Sequence, residues 1–412
     1  MTNLSPISKV NATPPAAWGA VLAMAMAAFA LVASEFMPVS LLTPIATDLS
    51  VTEGQAGQAI AVSGAFALLT SLCVSAVAGH LNRKLLLAAL TLLMIISGSV
   101  VAFAPNYGTF IVGRALIGVA IGGFWSMSAA TAMRLVPEDK VPRALAILNS
   151  GNALATVIAA PLGSFLGSII GWRLAFFAVV PVAIIALCWK LFSLPSMQAQ
   201  AERRSSNVFK LLKRKPVALG MAASSLFFMG QFSLYTYLRP FLESVTQVQV
   251  TTLSFLLLLV GVAGFVGTLL IGGMLKNGVY RVLTAIPLLM AVLAIGLTYT
   301  IIGGSLPLTA ISLGLWGLVA TAAPVGWWTW VAKIMPRDAE AGGGLFVAVV
   351  QMAIMLGATV GGVLFDHYGY HATFEMSAAL LIVSAVLTVI TARSEEQEAQ
   401  PGTKQSAEGV QA

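Results

Sequence analysis

Long runs without a single charged side chain dominate this sequence, and they decide what it can become. Residues 55–79, 85–113, 115–133, 144–172, 244–275, 282–332 and 341–365 contain no Asp, Glu, Lys or Arg. A helix needs about 20 apolar residues to cross the hydrocarbon core of a bilayer. Each run holds one such helix, and 282–332 holds two. Of 412 residues, 58% are hydrophobic and 9% are charged, whereas a soluble domain carries roughly 25% charged residues. A soluble surface cannot be covered with so little charge. The runs are continuous rather than alternating, and lipid admits only structures that pair every backbone polar group internally. The reading is therefore an all-α membrane protein.

Twelve spans are predicted: 18–40, 56–79, 85–104, 109–133, 144–168, 174–192, 217–240, 250–273, 282–302, 307–333, 343–365 and 372–392. The turn dividing the longest run falls at Gly303-Gly304-Ser305-Leu306-Pro307. This gives a polar N-terminal segment (1–17), a six-helix bundle (18–192), a basic linker (193–216), a second bundle (217–392) and a polar tail (393–412) rich in Glu and Gln, expected to be disordered. The first 17 residues lack a basic stretch leading to a cleavage site, so the first span is expected to be retained. Cys73 and Cys188 lie in apolar runs without metal-type spacing, and read as packing thiols.

Lys and Arg set the orientation. With both termini inside, the inner loops hold Arg83, Lys84, Arg134, Lys140, Arg143, Lys276, Arg281, Lys333 and Arg337. Lys190 and the linker's Arg203, Arg204, Lys210, Lys213, Arg214 and Lys215 add to them, against Arg173 and Arg239 outside. The net charge of +7 is thus a topology signal and not a nucleic-acid footprint. The cluster around Lys213 is suited to touch anionic lipid.

The two halves echo each other at an offset near 200. Gly171-Trp172-Arg173-Leu174-Ala175-Phe176 resembles Gly369-Tyr370-His371-Ala372-Thr373-Phe374, and Arg134-Leu135-Val136-Pro137 resembles Lys333-Ile334-Met335-Pro336. Each pair stands at the same place in its half, which argues for a duplicated six-helix unit. Repeat-built transporters place their substrate near the midplane and alternate access by rocking.

Duplicated halves joined by a long basic loop resemble the major facilitator superfamily. Local motifs narrow the likeness. Gly79-His80-Leu81-Asn82-Arg83-Lys84 resembles its loop motif between spans two and three, and Arg114 with Gly118 and Gly122 its span-four motif. Ala160-Pro161-Leu162-Gly163 resembles the span-five antiporter motif, and Glu35 with Pro38, Pro44 and Asp48 the span-one pattern of twelve-span drug/proton antiporters. Within that branch the chain is most similar to the purine ribonucleoside efflux transporters. The likeness implies a monomer in the bacterial inner membrane that exchanges purine ribonucleosides, such as inosine and guanosine, and purine analogues for protons. Gly79, Asn82, Arg83, Lys84, Pro161 and Gly163 would then serve gating. Asn82 stands where the loop motif usually has Asp, and Ala160 where the span-five motif usually has Gly.

Glu35 is the only acid placed well inside a predicted span. Ionisable residues there usually face a cavity and serve function. It either carries a proton between surroundings of different polarity or sits in a permanent ion pair. Arg114 is its expected partner, since five residues, or about 8 Å, separate each from the outer end of its span; the other reading has Arg114 snorkelling to the interface. Asn149, Asn152, Gln231, Tyr235, Tyr237, Gln351 and Trp125 are the substrate candidates. Amides offer donors and acceptors to a purine edge and ribose hydroxyls, and rings offer stacking faces; the alternative for each polar residue is interhelical bonding. Trp327, Trp328 and Trp330 read as an interfacial belt, Pro161 as a kink, and Asp48 and Glu53 as solvated loop charges. No phosphate-binding Gly-x4-Gly-Lys-[Ser/Thr], His-Glu-x-x-His or Cys-x-x-Cys is present. The reading is a non-enzymatic carrier, without cofactor, metal or nucleic-acid partner, that draws on an ion gradient. A broad drug or sugar exporter of the same superfamily is the alternative.

Overall fold

The computed structural model describes residues 16–78, 81–197, 208–276, 278–299, 304–335 and 339–399. Gly79, His80, Pro336, Arg337, residues 198–207 of the linker, the first fifteen residues and the last thirteen therefore lie outside the described residues.

Regular structure among them is helical throughout: α1 (Trp18–Leu49), α2 (Glu53–Ala78), α3 (Arg83–Ala102), α4 (Tyr107–Arg134), α5 (Val141–Phe177), α6 (Val179–Ser193), α7 (Lys215–Thr236), α8 (Leu238–Ser244), α9 (Val250–Leu275), α10 (Val279–Thr298), α11 (Leu306–Ala320), α12 (Ala323–Ile334) and α13 (Ala339–Ala399). Short 3-10 turns cover Glu138–Lys140 and Val208–Lys213. Ten described stretches are long and apolar enough to cross a membrane. Their side-chain hydroxyls turn back on their own helices, as Ser40 does to the Met37 carbonyl at 3.0 Å and Thr298 to Ala294 at 2.8 Å. That is how a polar group is satisfied where water is absent. Large apolar side chains cover the outward surface, with Phe192 90% and Phe103 70% exposed.

Two stretches, Glu138–Ser193 and Gly342–Glu398, run for 56 and 57 residues, more than twice what one crossing needs (about 20 residues). Both are broken at a glycine. Gly171 has φ 82, ψ 157 and Gly369 has φ 74, ψ −174, a region that side chains with a Cβ avoid. At Gly369 the chain folds back, because Thr373 donates to the Gly361 carbonyl at 3.1 Å, whereas twelve residues of straight helix span about 18 Å. The first echo noticed in the sequence is therefore a pair of matching breaks. In α5 the break comes at Gly171 and not at Pro161, where the torsions stay helical.

Helix–helix contact is close wherever small residues line up. A Cβ on Gly118 would overlap the Ser63 carbonyl, and one on Gly122 the Ala67 carbonyl, so α4 lies backbone to backbone on α2 through a small-x3-small stripe. A Cβ on Gly163 would instead crowd the side chains of Ser40 and Met37 of α1. α1 packs mainly on α5 and α6, α7 on α13, and α9 on α11; contacts of α2 with α13 and of α5 with α9 join the first half of the chain to the second.

Several expectations change. α1 continues nine residues beyond the predicted end at 40, so Asp48 is helical and pairs with Arg173. That arginine also lies over the Trp172 ring at 4.4 Å and donates to the Ala104 carbonyl at 2.9 Å. Glu53 opens α2. The expected disordered tail is helical as far as Ala399, with Glu395 bonded to Lys333 at 3.0 Å and to the Tyr280 hydroxyl, and Glu398 to Arg214 at 3.2 Å. Trp327 and Trp330 are buried and only Trp328 of the three is exposed, because α12 turns two of its rings into the bundle, where Trp330 donates to the Tyr280 hydroxyl at 3.1 Å. Lys190 is buried, bonded to Thr91 at 2.8 Å and set over Phe124, rather than joining the basic linker. Both cysteines sit on the exposed surface of the bundle.

Candidate functional site

Glu35 stands near the middle of α1, 4% exposed. Fourteen residues, about 21 Å of helix, separate it from Leu49, so it lies much deeper than a span ending at 40 implies. Arg114, fully buried, reaches it from α4. Its guanidinium is spent on α1 and α2: Nη1 donates to the Ser34 carbonyl at 2.7 Å, Nη2 to the Glu35 carbonyl at 2.9 Å and to Ser63 Oγ at 3.3 Å, and Nε to the Ala59 carbonyl at 3.2 Å. The expected side-chain ion pair is not the contact made here. No described Lys, Arg or His forms an ion pair with the Glu35 carboxylate. Arg114 fixes the backbone beneath Glu35 and supplies positive charge nearby, leaving the carboxyl oxygens uncommitted to it. The Gln351 amide of α13 lies against that carboxyl group.

Of the other predicted residues, Gln231 and Gln351 each hold a buried Oε1 without a partner. Orphaned acceptors of this kind call for an explanation, and a ligand is one. Tyr235 is half-buried and sits edge-on to Phe232, ring centroids 6.3 Å apart. Asn152 and Trp125 are half-buried, and Trp125 packs edge-on against Phe124 at 5.5 Å. Asn149 is exposed and bonds its own helix at the Leu145 carbonyl, 2.9 Å away. Tyr237 does not join the group. It is fully buried, donates to the Ala358 carbonyl at 2.8 Å and stacks on Phe365 at 5.1 Å, which makes it a brace between the α7–α8 junction and α13.

Two rings that sequence reasoning missed face each other across the halves. Phe36 of α1 stacks on Phe232 of α7 with centroids 5.6 Å apart and planes at 21°. Phenylalanines abound in apolar helices, so nothing in the sequence marks these two.

Beyond this layer, toward the 50–52 turn, the halves are tied together. The Asp366 side chain of α13 accepts from Thr52 and Gly54, Thr359 bonds Gln58 at 3.2 Å, and Arg239 donates to the Ser40 carbonyl while pairing with Glu243 at 2.8 Å. Arg239, expected as an outer-loop cation, is thus buried in the joint. At the opposite end Asn82 caps α3, accepting from Lys84 N–H at 3.0 Å, and donates to Ser196 Oγ at 2.7 Å. Arg83 N–H donates to the Met197 carbonyl at 3.0 Å. The loop motif therefore holds the start of the linker. Among the described residues no cluster of His, Cys, Asp and Glu is set to hold a metal ion.

Comparison with known proteins adds four findings. The sequence model of the Major Facilitator Superfamily matches residues 24–343. A Pseudomonas aeruginosa protein called transcription regulatory protein OpdE is 62% identical over 388 residues, 93% of this chain and 96% of that one. The purine ribonucleoside efflux pump NepI of Salmonella typhimurium is 39% identical over 376 residues, 91% of this chain and 94% of that one. Among solved structures, a variant of the nucleoside transporter NupG superposes with a TM-score of 0.73 at 15% identity, covering 90% of this chain and 98% of that one; that likeness concerns the fold.

Proposed function

The chain belongs to the Major Facilitator Superfamily, and from that premise we propose that it exports purine ribonucleosides and their analogues in exchange for protons. Glu35 carries the reading. It is a buried carboxyl group at mid-helix whose nearest cation is committed to backbone carbonyls. Such a group can bind a proton in one conformation and release it in another without breaking the helix joint. The similarity to the Salmonella efflux pump over most of the chain supports the substrate class.

In this proposal the chain crosses a bacterial inner membrane twelve times as a monomer, both termini cytoplasmic. The two long stretches broken at Gly171 and Gly369 cross twice each. Residues 18–192 and 217–392 form the two rocking bundles, and the tied end lies outside. Asn152, Gln231, Tyr235, Gln351 and Trp125 supply the substrate contacts. One charge moving down the membrane potential releases about 2.3 kcal/mol per 100 mV. At ~150 mV that is about 3.5 kcal/mol, enough for a neutral-solute gradient of about 300-fold.

The test is counterflow of radiolabelled inosine in proteoliposomes, with and without a pH gradient, in wild type and Glu35→Gln. The gradient should accelerate wild-type efflux and leave Glu35→Gln unmoved. Full pH-driven efflux in Glu35→Gln removes Glu35 as proton carrier, and absence of inosine exchange removes the substrate assignment. Overexpression separates this reading from a broad drug exporter: resistance to purine analogues is expected, without resistance to unrelated cationic dyes. The name of the Pseudomonas relative favours a second reading, in which moving a small effector alters gene expression indirectly. Glu35→Gln should then abolish the transcriptional effect together with transport.

A further inference from the structure

We propose that Phe36 and Phe232 form a slot that closes on the two faces of the substrate's planar ring; this deepens the purine reading and rests on it. The two rings come from the first helix of each half of the chain, α1 and α7, and stack directly on one another. Each follows the polar residue already assigned to the site, Glu35 in one case and Gln231 in the other. Tyr235 stands edge-on to Phe232 and extends the aromatic wall. The buried, partnerless Oε1 of Gln231 waits one residue away from that wall. Phe36 keeps part of its surface accessible while Phe232 is buried, so the pair is entered from the Phe36 side.

The dimensions suit a flat guest. A ring sandwiched between two others needs about 7 Å between the outer planes, twice a carbon–carbon contact of ~3.5 Å. The two rings touch in a stack with centroids 5.6 Å apart, so they must part by about one ring thickness, ~3.5 Å, before a base can enter. Opening the empty slot breaks a ring stack and leaves two apolar faces uncovered. A planar heterocycle restores both contacts at once. A sugar, puckered and hydroxylated, covers these faces less completely than a planar ring does. The slot therefore selects the base, and polar groups are left to read its edge and the ribose.

Two measurements decide it. In unmodified protein, the free purine base should compete with inosine counterflow, and ribose alone should not. In variants, Phe36→Leu and Phe232→Leu should each raise the KM for inosine about ten-fold or more, while Phe36→Tyr and Phe232→Tyr stay within about three-fold of wild type because a stacking face is retained. Thermal stability of each purified variant separates loss of fold from loss of binding. Ribose competing as well as the base overturns the slot, as do well-folded Leu variants with wild-type KM. If wild type exchanges a sugar and no inosine, the purine reading itself fails, an outcome visible before any phenylalanine is changed.

Discussion

The Asp366 carboxylate accepts the Gly54 backbone N–H at 2.9 Å and the Thr52 hydroxyl at 2.6 Å, so a side chain from α13 caps the first turn of α2. Within α2 itself Thr52 and Gln55 cap each other reciprocally, both bonds 3.0 Å. That leaves Gly54 N–H for the other half of the chain. A Cβ on Gly54 would overlap Asp366 and the Gly362 carbonyl, so glycine is what lets the carboxylate sit on the helix end.

This joint is a latch on the end assigned to the outside. Asp366 is exposed, so the latch is worth about 1 kcal/mol and biases the closed state about five-fold. In a background with Cys73 and Cys188 replaced by Ala, a cysteine at Gln58 beneath the latch should react about five-fold faster with an impermeant maleimide when Asp366 is changed to Ala. Asp366→Asn keeps an acceptor for Gly54 N–H and should move the rate less. Equal rates in all three proteins would show that the latch does not set access.

Arg114 makes a different kind of prediction, because its four bonds tie α4 to three carbonyls and the Ser63 hydroxyl of α1 and α2. Arg114→Met leaves the Ser34 carbonyl unpaired in a dry interior, because Pro38, four residues on in α1, has no N–H to give it, at about 1–3 kcal/mol; the Glu35 and Ala59 carbonyls keep their helical donors. Arg114→Lys should recover only part of this, since an ammonium donates from one point and cannot reproduce the guanidinium fork. Both variants should melt earlier in detergent. The test that separates a tether from a mere counter-ion is the pair Arg114→Met with Glu35→Gln. A counter-ion's loss is relieved when the acid is neutralised, whereas a tether's loss is not.

The sequence made the architecture legible because lipid leaves so few options. Charge-free runs located the helices, and the Gly171 and Gly369 echoes turned out to mark matching backbone breaks. It also singled out Glu35, since an acid deep in an apolar run has no bland neighbourhood to belong to. Contacts made across the bundle were not legible. Arg114 and Glu35 looked like a charge pair by depth, but which atoms an arginine satisfies depends on how close Gly118 lets α4 come to Ser63. Asp48, Arg173, Arg239 and Lys190 looked like loop or end charges because one residue type at a helix end reads the same whether it meets water or a partner. Phe36 and Phe232 were hidden among twenty phenylalanines, as any aromatic contact is until two helices are placed side by side.

The matching breaks give the last prediction. Gly171 and Gly369 adopt positive φ with extended ψ, and neither has an atom within 4 Å of where a Cβ would stand. Crowding therefore cannot be the reason for glycine at either position; the backbone conformation is. Gly171→Ala and Gly369→Ala should each cost about 1–3 kcal/mol, the usual penalty for a side chain held in that region. Gly272 of α9 is the control. It also has open space around a virtual Cβ, but its torsions are helical, so Gly272→Ala should be neutral or should stabilise by about 0.5–1 kcal/mol through helix propensity. Thermal unfolding of the three purified variants measures the contrast. If Gly369→Ala and Gly272→Ala melt together, the turn at Gly369 is not held in the glycine-only conformation, and the fold-back there must be formed some other way.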